Sequence, residues 1–125
     1  MRGPKMSSNV FTEVIQNPHF QEVQDVTPEQ VKSALNEIVI IDVRENAEWN
    51  DELGHIESAK LINLGSLPDH LSDVPNNKTV VFVCKSGGRS ARAAAFIKQQ
   101  GITNVFNMKG GMLSWNQLGL PISQK

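Results

Sequence analysis

Four consecutive apolar residues, Val80-Val81-Phe82-Val83, run into Cys84. The polar, glycine-rich Lys85-Ser86-Gly87-Gly88-Arg89-Ser90 then leads into Ala91-Arg92-Ala93-Ala94-Ala95-Phe96-Ile97. A valine-rich run suits a buried strand and an alanine-rich run suits a helix, so the stretch predicts strand, loop, helix with a thiol at the turn. At that place the thiol faces backbone N–H groups without intrahelical partners and the positive end of the helix dipole. Both favour thiolate over thiol.

A free thiol with pKa about 8.5 is only a few per cent ionised at pH 7, whereas thiols at helix N-termini or beside Lys and Arg fall to about 3.5–7.5. Lys85, Arg89 and Arg92 are all close in sequence. Gly87 and Gly88 permit positive φ, so successive N–H groups can curl around one anionic atom and form a nest. The bland alternative, a small apolar Cys ending a buried strand, is outweighed by this context.

The remaining pattern is α/β. Glu22 to Val26 alternates polar and apolar residues, as a short edge strand does. Thr27-Pro28-Glu29-Gln30 is a helix start, with Thr27 as N-cap, Pro28 in the first turn and Gln30 closing a capping box. Val31, Ala34 and Leu35 form its inward face. Ile38-Val39-Ile40-Ile41 is a continuous β-branched run ending at Asp42, the pattern of a strand covered on both faces in a parallel sheet. Leu61 to Leu64 and Asn104 to Asn107 are shorter strand candidates, while Leu67 to Leu71 and Met112 to Leu118 read as short helices. Strands alternating with helices predict a five-stranded, mostly parallel sheet flanked by helices, with Val80 to Val83 central.

Residues 1–20 are expected to be an N-terminal extension and residues 21–125 the domain proper. Val10, Phe11, Val14 and Ile15 recur at helical spacing, predicting one or two turns before Asn17-Pro18. Met1 to Met6 is short and basic without a following apolar run, so it is no secretory signal; a native start and an expression remnant both fit it.

At 125 residues and 39% hydrophobic content, one core is expected and a second domain is not. The formal charge of −1 offers no basic stripe for nucleic acid or an anionic membrane. One Cys excludes an internal disulfide, and no apolar run approaches a membrane span. A cytoplasmic, reducing location follows. His19, His55, His70 and Cys84 lack ligand spacing, so neither metal nor cofactor is expected.

Four motifs occur together: Cys84 to Ser90; Ile41-Asp42-Val43-Arg44-Glu45 followed by Glu48-Trp49; Gly54-His55-Ile56; and Gly110-Gly111-Met112-Leu113-Ser114-Trp115 with Gly119-Leu120-Pro121-Ile122. Taken in their order along the chain they resemble the small rhodanese-like sulfurtransferases over about residues 38 to 122. The chain departs where that family often has Gly-His-Ile-Pro-Gly-Ala, reading Glu57-Ser58 instead of Pro-Gly, and where it often has an aromatic residue, reading Met112. The resemblance implies a single rhodanese-like domain in which Cys84 is the nucleophile and Lys85, Ser86, Gly87, Gly88, Arg89 and Ser90 form the active-site loop. It also implies that Asp42 holds that loop; a simple strand-end cap fits Asp42 equally well. Arg44 and Glu45 read as parts of an ion-pair network, Trp49 and Trp115 as packing, and His55 as no base, since an ionised thiol needs none.

Three functions are compatible with such a thiol. The first is sulfur transfer, in which Cys84 takes a sulfane sulfur from a donor such as thiosulfate and passes it, through a persulfide, to cyanide or to a thiol such as glutathione, thioredoxin or another protein. The second is phosphoryl transfer, since protein phosphatases also combine a Cys, a backbone nest and an Arg. They place five residues between Cys and Arg, often with His before the Cys; here four intervene and Val83 precedes. The tighter loop suits a single sulfur atom. The third is a non-catalytic rhodanese-like regulatory or binding module, but members of that kind have often lost the Cys.

Overall fold

The computed structural model describes residues 10–125. Six strands form one sheet: β1 (Ile15–Gln16), β2 (Gln24–Val26), β3 (Ile38–Asp42), β4 (Lys60–Leu61), β5 (Thr79–Val83) and β6 (Val105–Met108). Their spatial order is β1-β2-β6-β5-β3-β4, and only the β1–β2 pair is antiparallel. Helices α1 (Pro28–Ser33), α2 (Gly88–Gln99) and α3 (Gly111–Gln117) cover the two faces, with a 3-10 segment at Leu64–Asp73.

The two apolar runs behave as their composition requires. All five residues of β5 are buried, and β5 lies between β3 and β6. Its side chains alternate between two cores. Val80 and Phe82 pack with Ala93, Ala94 and Ile97 of α2, whereas Val81 and Val83 pack with Val31 of α1 and Met112 and Trp115 of α3. A strand covered on both faces has no polar alternation, which is why Ile38 to Ile41 and Val80 to Val83 are continuous. The capping box at Thr27 is formed: Thr27 Oγ1 accepts from Gln30 N at 3.1 Å and Gln30 Oε1 from Thr27 N at 2.8 Å.

The amino-terminal segment departs from expectation. No helix forms between Val10 and Phe20; instead Ile15 and Gln16 pair with Asp25 and Gln24 and add a sixth strand to the expected five. The helical spacing misleads because these side chains do not share a buried face. Phe11 is buried, with its ring edge-on to Phe106 at 5.2 Å, but Val14 and Ile15 are exposed. Backbone pairing and the Gln16 amide, which donates to the carbonyls of Phe20, Gln21 and Val23, fix the chain there. Consequently β2 is an inner strand rather than the edge.

Candidate active site

Strand β5 ends at Val83, and Cys84 opens the loop. Gly87 adopts φ +106, which an L side chain rarely takes, and becomes the N-cap of α2, which begins at Gly88 where a start near Ser90 is expected. This geometry directs donors onto the sulfur. Gly87 N lies 3.1 Å and Ser90 N 3.3 Å from Cys84 Sγ. The Ser90 amide is one of the first-turn N–H groups that an α-helix leaves unpaired. The sulfur is the partner it finds. Cys84 itself is 1% exposed, so these two N–H dipoles meet the sulfur with little water to compete.

Ser90 Oγ is 3.2 Å from the sulfur and also within hydrogen-bonding reach of Asn107 Oδ1. A hydroxyl has one proton and cannot serve both. Its direction is set from further back. Asn17 Oδ1 accepts from the backbone N–H groups of His19 and Phe20, so its amide nitrogen faces Asp25 Oδ1 at 3.0 Å. The same carboxylate oxygen receives Asn107 Nδ2 at 3.0 Å, which turns Asn107 Oδ1 toward Ser90. The Ser90 proton therefore lies on Asn107, and backbone N–H groups are the donors to sulfur. Asn17, Asp25, Ser90 and Asn107 are all buried.

Arg89 points out of the loop. Its Nη1 and Nη2 donate to Glu48 Oε1 and Oε2 at 2.7 and 2.9 Å, a two-pronged bond between residues 41 apart. That bond is the main reason the Glu48 carboxyl is pulled down to about 2, and it raises Arg89 in turn. Glu48 belongs to a 3-10 turn, Asn46–Glu48, capped by Glu45. A second brace comes from α3. Met112 N donates to Cys84 O at 2.8 Å and Leu113 N to Lys85 O at 3.0 Å. The backbones approach so closely that a Cβ at Gly111 would stand 2.5 Å from Cys84 O and 2.4 Å from Lys85 O.

Asp42 does not hold the loop directly. It sits beside Val83 in the sheet register, yet its carboxylate takes hydrogen bonds from Arg44, at 2.9 Å from Nε and 2.9 Å from Nη2, and none from the loop. Arg44, fully buried, also donates to Gly54 O at 2.7 Å. This pair locks the turn after β3. His55 is buried and stacked on Trp49, ring centroids 3.5 Å apart, with Nδ1 2.7 Å from Trp49 O. Lys85 and Ser86 are exposed at the loop's crest. Asn107, Asp25 and Asn17 were not among the residues expected from sequence. Their one signal was a polar residue inside the otherwise apolar Val105-Phe106-Asn107-Met108. Among the described residues no cluster of His, Cys, Asp and Glu could hold a metal ion.

Comparison with known proteins decides the family. Residues 27–118 match the rhodanese-like domain. The chain belongs to this family. It is 33% identical to a sulfurtransferase of Allochromatium vinosum over 103 residues, 80% of this chain and 94% of that one. It is 30% identical to the thiosulfate sulfurtransferase GlpE of Pseudomonas aeruginosa, over 76% of this chain and 86% of that one. Among solved structures, a rhodanese-related protein of Thermoplasma volcanium superposes with a TM-score of 0.75 at 26% identity, covering 81% of this chain and 98% of that one. The rhodanese-like chain is accordingly a sulfurtransferase-type enzyme. No helix among its described residues is long and apolar enough to cross a membrane.

Proposed function

We propose that this rhodanese-like protein takes the outer sulfur of thiosulfate or a related sulfane donor onto Cys84 and delivers it to a thiol or to cyanide. The observation that carries the reading is the convergence of Gly87 N and Ser90 N on Cys84 Sγ. In the first half-reaction the thiolate attacks the outer sulfur of thiosulfate, the S–S bond of the donor breaks, and sulfite leaves with the electron pair. Cys84 is left as an anionic persulfide. In the second, an acceptor thiolate or cyanide bonds to that outer sulfur, the persulfide S–S bond breaks, and its electrons return to Sγ. One sulfur atom moves at each step and no external oxidant or reductant is consumed.

In this reading the loop amides supply the electrostatic stabilisation, Lys85 and Ser86 meet the donor at the rim, and Arg89 with Glu48 keeps the loop in shape. Asp42 contributes only through the turn it locks with Arg44. The GlpE relative, named for thiosulfate, supports that donor. Phosphoryl transfer is disfavoured because four residues separate Cys84 from Arg89 and because the Arg89 guanidinium is turned onto Glu48. Thiocyanate formation from thiosulfate and cyanide, run beside hydrolysis of an aryl phosphate, tests the assignment. Thiocyanate should form with the parent protein and not with Cys84→Ser; aryl phosphate turnover without thiocyanate would overturn it.

A further inference from the structure

Two sequence motifs take no part in the contacts of the sulfur: Gly54-His55-Ile56 and Gly119-Leu120-Pro121-Ile122. The fold joins them. His55 N donates to Ser123 O at 2.9 Å and Ser123 N to His55 O at 2.8 Å, an antiparallel bridge made by the residue that follows the second motif. Beside it Gln124 Nε2 donates to Asp51 O at 2.8 Å, and Trp115 Nε1 of α3 donates to Pro121 O at 2.8 Å. Residues 120–124 thus form a strap that ties α3 to the turn between Asp51 and His55. It lies beyond residue 118, where the match to the rhodanese-like domain ends.

His55 is 4% exposed, and its ring carries the connection onward. The ring lies flat on Trp49, centroids 3.5 Å apart and planes within 11°, and Nδ1 stands 2.7 Å from Trp49 O. A carbonyl oxygen only accepts, so Nδ1 bears the proton and donates it. Trp49 closes the 3-10 turn Asn46–Glu48, with its own N–H bonded to Asn46 O at 3.2 Å. The backbone that His55 pins is therefore the backbone that carries Glu48. Glu48 in turn holds both terminal nitrogens of Arg89, at the end of the Cys84 loop. The sulfur's own hydrogen-bonding neighbours are Gly87 and Ser90, so His55 acts on it through other residues.

We propose that His55 is a positioning residue for sulfur transfer: anchored by the strap, it fixes the turn that carries Glu48 and thereby the Arg89 end of the Cys84 loop. The inference rests on the sulfur-transfer reading and adds a residue to it. The strap reaches the loop's other brace as well. The Trp115 indole fastens it to α3, whose Met112 and Leu113 N–H groups hold Cys84 O and Lys85 O. Both supports of the loop share this one fastening, so a change at half-buried Ser123 is transmitted to the sulfur.

The test is a double-mutant cycle in kcat/KM for thiocyanate formation. His55→Phe keeps a ring to stack on Trp49 and removes the donor to Trp49 O; His55→Asn offers an amide N–H in its place. His55→Phe should lower kcat/KM about tenfold, within the roughly hundredfold that a misplacement of about 1 Å can cost. His55→Asn should recover to within about threefold of the parent. In the Glu48→Gln background His55→Phe should cost less than about twofold more, because the link it acts through is already cut. A full tenfold loss in that background, or no loss in either, would overturn the inference. Ser123→Pro, which removes only the strap's N–H to His55 O, gives the same reading if His55→Phe does not fold: a loss that Glu48→Gln masks supports the proposal, and an unchanged or additive effect sinks it. A readout free of the reaction is the Glu48 carboxyl, held at about 2 first by its bond to Arg89, with smaller help from Glu45 N and Arg44. Followed by NMR, its titration should move up toward the ordinary glutamate value of about 4.3 in His55→Phe, and an unmoved titration would contradict the proposal. A parent protein that forms no thiocyanate would break the sulfur-transfer reading instead, with the Glu48 titration still deciding what His55 holds.

Discussion

Arg89 and Glu48 meet through both terminal guanidinium nitrogens and both carboxylate oxygens, so the end of the Cys84 loop is tied to a turn that follows β3. The pair is partly exposed, with side-chain exposures of 35% and 23%. Solvent screening therefore limits it to about 1 kcal/mol, near the upper end for surface pairs because the contact is two-pronged. Lysine offers a point charge in place of a fork. Arg89→Lys and Glu48→Gln should each lower stability by about this amount, and together by clearly less than the sum, as read by denaturant unfolding.

The same pair fixes a pH dependence. Glu48 is held down to about 2, chiefly by Arg89, whereas a free glutamate titrates near 4.3. A depressed carboxyl contributes stability above its unfolded value and loses it as pH falls through the folded value. The stability gap between the parent and Glu48→Gln should be constant above about pH 5 and close progressively toward pH 2. A gap unchanged at pH 2 would remove the ionic pairing from the account.

Asp42 and Arg44 are a buried pair, and deleting one charge strands the other. Asp42→Ala should cost about 3–5 kcal/mol, a large part of a small domain's 5–15 kcal/mol. Under conditions where it remains folded, the variant should keep the parent's rate of Cys84 alkylation. A folded, stable variant with a slow thiol would instead assign Asp42 to the loop.

Gly111 touches the carbonyls of Cys84 and Lys85 and has φ +59. Gly111→Ala must displace either α3 or the loop, and an error of about 1 Å in a catalytic group can cost on the order of a hundredfold in rate. Steady-state kcat/KM should fall by about that factor while the far-UV circular dichroism is retained.

The buried chain from Asp25 through Asn107 holds the Ser90 proton away from the sulfur. Asn107→Leu should let the Ser90 hydroxyl turn onto Sγ as a donor, moving the pH midpoint of iodoacetamide alkylation downward. Adding Ser90→Ala should cancel that movement. If Ser90→Ala alone moves the midpoint upward and Asn107→Leu has no effect, the hydroxyl already donates to sulfur.

What was legible in the sequence was local. The β-branched runs, the Thr27 capping box and the strand, loop and helix around Cys84 are each written within one short stretch of chain, where propensity and periodicity act directly. The supports of the loop are not local. Glu48 to Arg89 spans 41 residues and Asp25 to Asn107 spans 82, so no spacing rule brings them together. Gly111 signals its role only once α3 is docked. Ile15 shows the opposite failure: an apolar residue at helical spacing whose backbone pairs with β2 because Gln16 and Asn17 hold the following turn.

The central claim is that two backbone amides hold a sulfur anion on Cys84, and intact-mass spectrometry tests it most directly. After incubation with thiosulfate and removal of the excess, the protein should gain the mass of one sulfur atom. It should lose that mass on adding cyanide or a small thiol, and show no gain as Cys84→Ser. A gain that survives the Cys84→Ser change, or a parent protein that never gains sulfur from any sulfane donor, would contradict the account.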